Sequence, residues 1–148
     1  MALFDRETDP QKERDGVPLD FGEYRVTIRR QGGANDRYGI ELEKEMKPHR
    51  AALNAGVLPQ VKVDEITFRA FARACVVKWE TLSSTLPGYE KPGCFVDGID
   101  MRGKLVPCTE ENLVAVFKSL PGVFLDLREA ARGEQLYRLA QREDDSGN

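Results

Sequence analysis

The sequence predicts a mainly α-helical single domain: a bundle of about four to five helices, a small N-terminal β-hairpin, and a long loop at residues 83–108 between the central helix and the next. Three observations lead there. Apolar residues recur at helical spacing over residues 63–82 and again over 109–142. Period-two alternation is confined to residues 17–28. The length, 148 residues, suits one domain with one core.

Taken in order, residues 1–15 show almost no periodic apolar pattern and are read as a flexible N-terminal arm. The helical domain is placed at 16–142, and "EDDSGN" at 143–148 is read as a disordered acidic tail. Val17, Leu19 and Phe21, then Tyr24, Val26 and Ile28, alternate with polar residues around the turn glycine of "DFGEY", the pattern of a hairpin with one buried face. Gln31-Gly32-Gly33-Ala34 breaks the strand and Asn35 is the expected N-cap of a helix. Tyr38, Leu42 and Met46 give that helix its apolar face, Pro48 ends or kinks it, and "HRAALNAG" adds a turn or two that closes at Gly56.

The central helix is expected over "VDEITFRAFARACVVKWETL", capped by Asp64. Phe68, Phe71, Cys75, Trp79 and Leu82 form one stripe and Ile66, Ala70, Ala74 and Val77 a second, so Trp79 reads as core. In the long loop, "CFV" and "KLV" suggest a small hairpin across "DGIDMRG". Thr109 caps the next helix, with Glu110 and Glu111 at its positive end and Leu113, Val116, Phe117 and Leu120 as its stripe. Pro121-Gly122 breaks the chain before a last helix, 123–142, carrying Phe124, Leu127, Ala131, Leu136, Leu139 and Ala140.

Composition and motifs remove several function classes. A net charge of −3 weighs against broad nucleic-acid binding. Arg25, Arg29, Arg30, Arg37 and Arg50 fall close together in sequence but are interleaved with Glu41, Glu43 and Glu45, as on a solvated face. No apolar run approaches the ~20 residues needed to span a bilayer, and "MALFDRETDPQKERDG" is no signal peptide. Cys75, Cys94 and Cys108 form no C-x-x-C and suggest reduced thiols in a cytoplasm. The double glycine before a helix resembles a phosphate cradle only superficially. The glycines are adjacent, no Lys-Ser/Thr follows, and Asp36 at the helix entrance would repel a phosphate. His49, the single histidine, sits in a charged run with no partner for nucleophilic or zinc chemistry. No cofactor, metal or enzyme activity is expected.

The order of these landmarks resembles a known family. "YRVTIRRQGGANDRYGIELEKEMKPHR", "ACVVKWETL" and "CTEENLVAVFKSLPGVFLDLREAA" are similar to the successive segments of the tail assembly chaperones of long-tailed bacteriophages, over roughly residues 17–148. Asn35, Pro48, Trp79, Asn112 and Pro121 are the positions that carry the likeness. The longer loop around "LPGYEKPGCFVDGIDMRGK" and the acidic N-terminal arm depart from it.

The resemblance implies a non-enzymatic, self-associating assembly factor in the host bacterial cytoplasm, absent from the mature virion. It would bind and solubilise the tape measure protein while the tail tube polymerises around it. Tail-tube protein would be recruited by a longer, frameshifted form; nucleic acid and membrane are not expected partners. Candidate contacts are Arg29, Arg30, Arg37 and Arg50, with Phe124, Leu136 and Tyr137 as apolar ones, each also having a purely structural reading. The rival readings are a structural phage protein kept in the virion, such as a head–tail connector or minor tail protein, and a small helical DNA-binding regulator.

Overall fold

A computed structural model describes residues 7–88 and 93–139. The fold is mixed α/β, which corrects the mainly helical expectation: a four-stranded antiparallel sheet, order β1-β2-β3-β4, and a separate two-stranded ribbon pack with the helices.

The N-terminal hairpin is present as β1 (Val17–Asp20) and β2 (Tyr24–Ile28). Asp20 accepts a hydrogen bond from the Gly22 amide at 2.7 Å, and Gly22 takes a positive φ, which tightens the turn. The double glycine leads to α2 (Arg37–Met46), followed by a 3₁₀ turn at Lys47–His49 containing Pro48, and then by α3 (Arg50–Asn54).

The central helix differs most from expectation. Helix α4 spans Gln60–Ala74, so Asp64 lies inside it and bonds to Gln60 instead of capping it. After Cys75 the chain passes directly into strand β3 (Val76–Leu82). Val76, Val77, Trp79 and Thr81 are β-branched or aromatic and favour a pleated surface, and β2 offers them a complete ladder. Val26 pairs with Trp79 and Thr27 with Lys78, but Ile28 pairs with Val76. The extra residue, Val77, forms a β-bulge and is exposed. The bulge lets Val76 and Trp79, three residues apart, both enter the core. A helical spacing thus arises here from an interrupted strand.

The region expected as loop also holds sheet. Strand β4 (Phe95–Asp97) pairs with β3, and β5 (Ile99–Met101) with β6 (Lys104–Val106), so the hairpin joins "IDM" to "KLV" and not "CFV" to "KLV". Its two-residue turn has φ of 56° at Arg102 and 90° at Gly103, the doubly left-handed geometry that matches strand twist.

Thr109 caps α5 (Glu110–Ser119) as expected, accepting from the Asn112 amide at 3.2 Å. Pro121 opens α6 (Pro121–Arg132). This helix stops well short of residue 142: Gly133 is extended and a 3₁₀ turn follows at Gln135–Tyr137. Within the expected N-terminal arm, residues Pro10–Asp15 form helix α1, capped by Asp9, with Glu13 buried. Residues 1–6 of that arm, the predicted helix end at 140–142 and the acidic tail at 143–148 lie outside the described residues.

The core lies between the sheet and the layer formed by α4, α5 and α6. Phe68, Phe71, Phe117 and Phe124 interlock, with Phe124 centroids 4.7 Å from Phe68 and 5.3 Å from Phe71 in edge-to-face contact. Outside it, Arg73 of α4 bonds to Glu110 of α5 and to Glu41 and Glu45 of α2, clamping three helices together. Its guanidinium, with Arg69, holds the Glu110 carboxyl below the ordinary value.

Two outcomes follow. Phe71→Ala removes a fully buried ring and should lower the unfolding free energy by about 3–5 kcal/mol in urea titrations. Because the folded Glu110 pKa is depressed, its stabilisation is present above the ordinary value of 4.5 and is lost as pH falls through the folded value. Urea midpoints should therefore drop below about pH 4.5, and drop less steeply in Glu110→Gln.

Candidate functional site

Several arginines without an ion-pair partner among the described residues lie near the point where β2 leaves the sheet. Arg29 and Arg30 follow β2, and the glycine turn carries the chain to Arg37 at the start of α2. Three hydrogen bonds hold this turn in place. Gln31 donates its amide to Ala131 on α6 at 2.8 Å. The buried Asn35 carboxamide donates to the carbonyls of Arg30 at 2.8 Å and Ala74 at 3.1 Å, joining the ends of β2 and α4. The turn therefore sits against the C-terminal half of α6, which carries Arg128 and Arg132.

Arg29 lies within electrostatic reach of Arg37, and Arg128 and Arg132 within reach of Tyr38, the residue after Arg37, so the four are grouped as a basic region. Among the described residues, no carboxylate lies within ion-pairing distance of any of the four. Arg29 is pushed below its ordinary value, first by burial and then by the charge of Arg37. Tyr38 is pushed up by burial, against the opposing pull of Arg128 and Arg132. Beneath them, burial pushes the Cys75 thiol up to about 12 although Arg29 and Arg37 favour its thiolate. The Arg128 Nε is buried without a hydrogen-bond partner, and Arg29 spends its own Nε on the Arg14 carbonyl at 2.8 Å.

The remaining candidates fall elsewhere. Arg30 is ion-paired with buried Glu13, and Arg50 with exposed Glu43 on the surface of α2. Phe124 and Tyr137 are core; the Tyr137 hydroxyl donates to the Ile28 carbonyl at 3.1 Å. Leu136 is half-buried beside Leu19 and Phe21. Trp79 is core, Asn112 donates to the Pro107 carbonyl at 2.8 Å, and Pro48 and Pro121 are exposed at helix starts. Sequence reasoning missed Arg128 and Arg132. Their four-residue spacing, off the Phe124, Leu127 and Ala131 stripe, was the signal that could have found them.

Two concavities flank the other edge of α6. A cleft of ≈ 430 Å³ is lined by Tyr24, Trp79, Ile99, Met101, Leu120 and Val123, with Tyr24 stacked on Trp79 at 5.1 Å. A more open groove of ≈ 600 Å³ has Leu19, Phe21, Ala130 and Leu136 on its walls and Asp126 and Glu129 among its lining. Tyr24 is pushed up by burial first, then by Asp126 and Glu23. Among the described residues no cluster of three or more metal-ligating side chains occurs, and no helix is long and apolar enough to cross a membrane.

The two arginine environments predict opposite mutational outcomes. Arg37→Glu loses no partner and relieves repulsion, so stability should stay within about 0.5 kcal/mol of the parent. Arg30→Ala strands a buried carboxylate and should cost about 3–5 kcal/mol, read by denaturant unfolding.

Comparison with known proteins places the chain. The family model described as YdaY prophage protein matches residues 33–148, from the second turn glycine through α2, α4, β3 and the C-terminal helices. No curated protein and no solved structure matches.

Proposed function

The chain belongs to the YdaY prophage protein family, and from that premise we propose that it is a non-enzymatic phage tail assembly chaperone. In this reading the face formed by Arg29, Arg37, Arg128 and Arg132 holds an acidic, amphipathic stretch of the tape measure protein. It acts in the host bacterial cytoplasm and leaves before the virion is complete. A longer, frameshifted form would recruit tail-tube protein.

One observation carries the reading: four arginines on β2's exit, α2 and α6 have no ion-pair partner among the described residues, in a chain whose net charge is −3. Gathering like charge on a folded surface works against stability, so the cluster is better matched to an anionic partner than to the fold itself. An elongated client suits weak contacts repeated along its length, since multivalency supplies retention while each contact stays displaceable by tube subunits. The phage origin and the order of sequence landmarks support the same assignment.

The arginine face also favours a second reading, contact with nucleic-acid phosphates, which the overall negative charge opposes. A gel shift at low salt that vanishes as salt is raised would support it.

The principal test is co-expression with the cognate tape measure protein. We expect the client to stay soluble and to co-purify. Arg37→Glu combined with Arg132→Glu should reduce recovery at least about tenfold, the loss of roughly 1.4 kcal/mol, without changing the chain's own melting. If the client precipitates equally with and without this protein, the chaperone proposal fails. Abundant copies in purified virions, detected by mass spectrometry, would instead identify a structural virion component.

A further inference from the structure

We infer that the aromatic cleft between β2, β3, the β5–β6 ribbon and the α5–α6 junction is a binding site for a small organic cation, an ammonium group carried on an apolar body. The site shares no residue with the basic region and needs no tail protein.

The fold builds this cleft without help from a ligand. Tyr24 stacks on Phe21 at 4.8 Å and on Trp79 at 5.1 Å, so its ring is fixed in the wall. The ribbon is pinned at its root through Gly98. The Gly98 amide donates to the Trp79 carbonyl at 2.9 Å, and its carbonyl accepts from the buried Thr81 hydroxyl at 2.9 Å. Gly98 has φ of 126°, and a Cβ there would lie 2.8 Å from the Val106 carbonyl oxygen, so the two strands of the ribbon close tightly at this point. Trp79 and Ile99 are almost fully buried, whereas Leu120 is 56% exposed at the mouth. The enclosed space of ≈ 430 Å³ falls within the range of about 300–1,000 Å³ typical of small-molecule sites. Sheet, ribbon and helix junction wall it on three sides, which suits a compact ligand better than a continuous peptide.

Charge selects the ligand. Glu23, Asp100 and Arg102 line the same cleft, and among the described residues none of them forms a salt bridge. One Asp100 oxygen accepts from the Gly103 amide at 2.7 Å, while the Glu23 carboxylate has no hydrogen-bond donor among the described residues. Two carboxylates against one guanidinium leave the lining net negative. An ammonium group satisfies a carboxylate by a charge-assisted hydrogen bond while the apolar body it carries leaves water. An anion of the same shape meets repulsion from both carboxylates.

Trp79 is the single tryptophan of the chain and lines the cleft, so its emission reports occupancy. Phenethylamine titrated into the full chain should change that emission saturably. Neutral phenethyl alcohol and anionic phenylacetate, which match it in size, should bind at least about tenfold more weakly, the scale of one lost charge-assisted hydrogen bond. Glu23 and Arg102 are exposed, and neutralising them should act in opposite directions. Glu23→Gln should weaken phenethylamine roughly tenfold, and Arg102→Gln should tighten it about twofold by removing a like charge. A purely structural role for either residue would move all three ligands alike. Methyl NMR should show shifts at Met101, Leu120 and Val123 and none at Leu19 and Leu136 of the other groove. The inference is overturned by phenethylamine that leaves Trp79 unchanged, by phenylacetate that binds equally well, or by shifts confined to the other groove. It is equally overturned if the cleft takes phenylalanine only within a basic amphipathic peptide, which would make it a protein-docking surface. None of these results bears on the tape measure proposal.

Discussion

A buried carboxylate, Glu13, determines how helix α1 meets the end of β2 and the glycine turn. At 3% exposure it must be compensated, because an unpaired buried charge costs several kcal/mol. The Arg30 guanidinium and the Ala34 amide supply that compensation. Their convergence explains the double glycine better than any ligand does. Gly33 has φ of 58°, and a Cβ there would overlap the Glu13 and Arg30 side chains. With α1 held against the β2 exit, the segments around residues 9–12 and 137–138 join. Asp9 donates to the Tyr137 carbonyl at 2.8 Å, Lys12 to that of Arg138 at 2.9 Å, and Tyr137 reaches back to Ile28. The position of α6 against the glycine turn, and with it the arginine face, depends on this closure.

Local chemistry was legible at several positions where one residue settles the outcome, although Asp64 caps no helix and α2 starts after Asp36 and not after Asn35. The β1–β2 alternation, the Thr109 cap and the Pro121 break all appear where their residues demand. Features set by distant partners were not legible. Val76 to Leu82 continue a helical stripe on paper, and only β2, some fifty residues earlier, makes strand the better solution. The bulge at Val77 even preserves the misleading spacing. Residues 10–15 look too polar to dock, since their value lies in the one glutamate that Arg30 requires. Residues 95–106 are split into strands of three, too short to show a period. For the site, Arg29 and Arg37 could be listed from sequence, but Arg30 and Arg50 could not be separated from them. That distinction needs the positions of Glu13 and Glu43.

Helix α6 links fold and function more than any other element. Its buried stripe completes the phenylalanine core, its first turn borders the aromatic cleft, and its two outer edges carry opposite charge. The phage-derived identity fits a protein whose chemistry is concentrated on its surfaces. Arg69 and Arg73 of α4 and Lys118 of α5, by contrast, are absorbed by Glu110, Glu45 and Glu65. Placement of the acidic partners therefore separates scaffold arginines from those with no acidic partner among the described residues.

The sheet has a consequence of its own for the behaviour of this protein at high concentration. Its outer strands are β1 and β4. The first holds Pro18, which has no amide hydrogen to offer an incoming strand, and the second is only three residues long and ends at exposed Asp97. Both are poor templates for strand addition, the route by which crowded β proteins run into fibres. Close approach of copies at high concentration therefore finds both outer strands of this sheet poorly suited to edge-to-edge pairing.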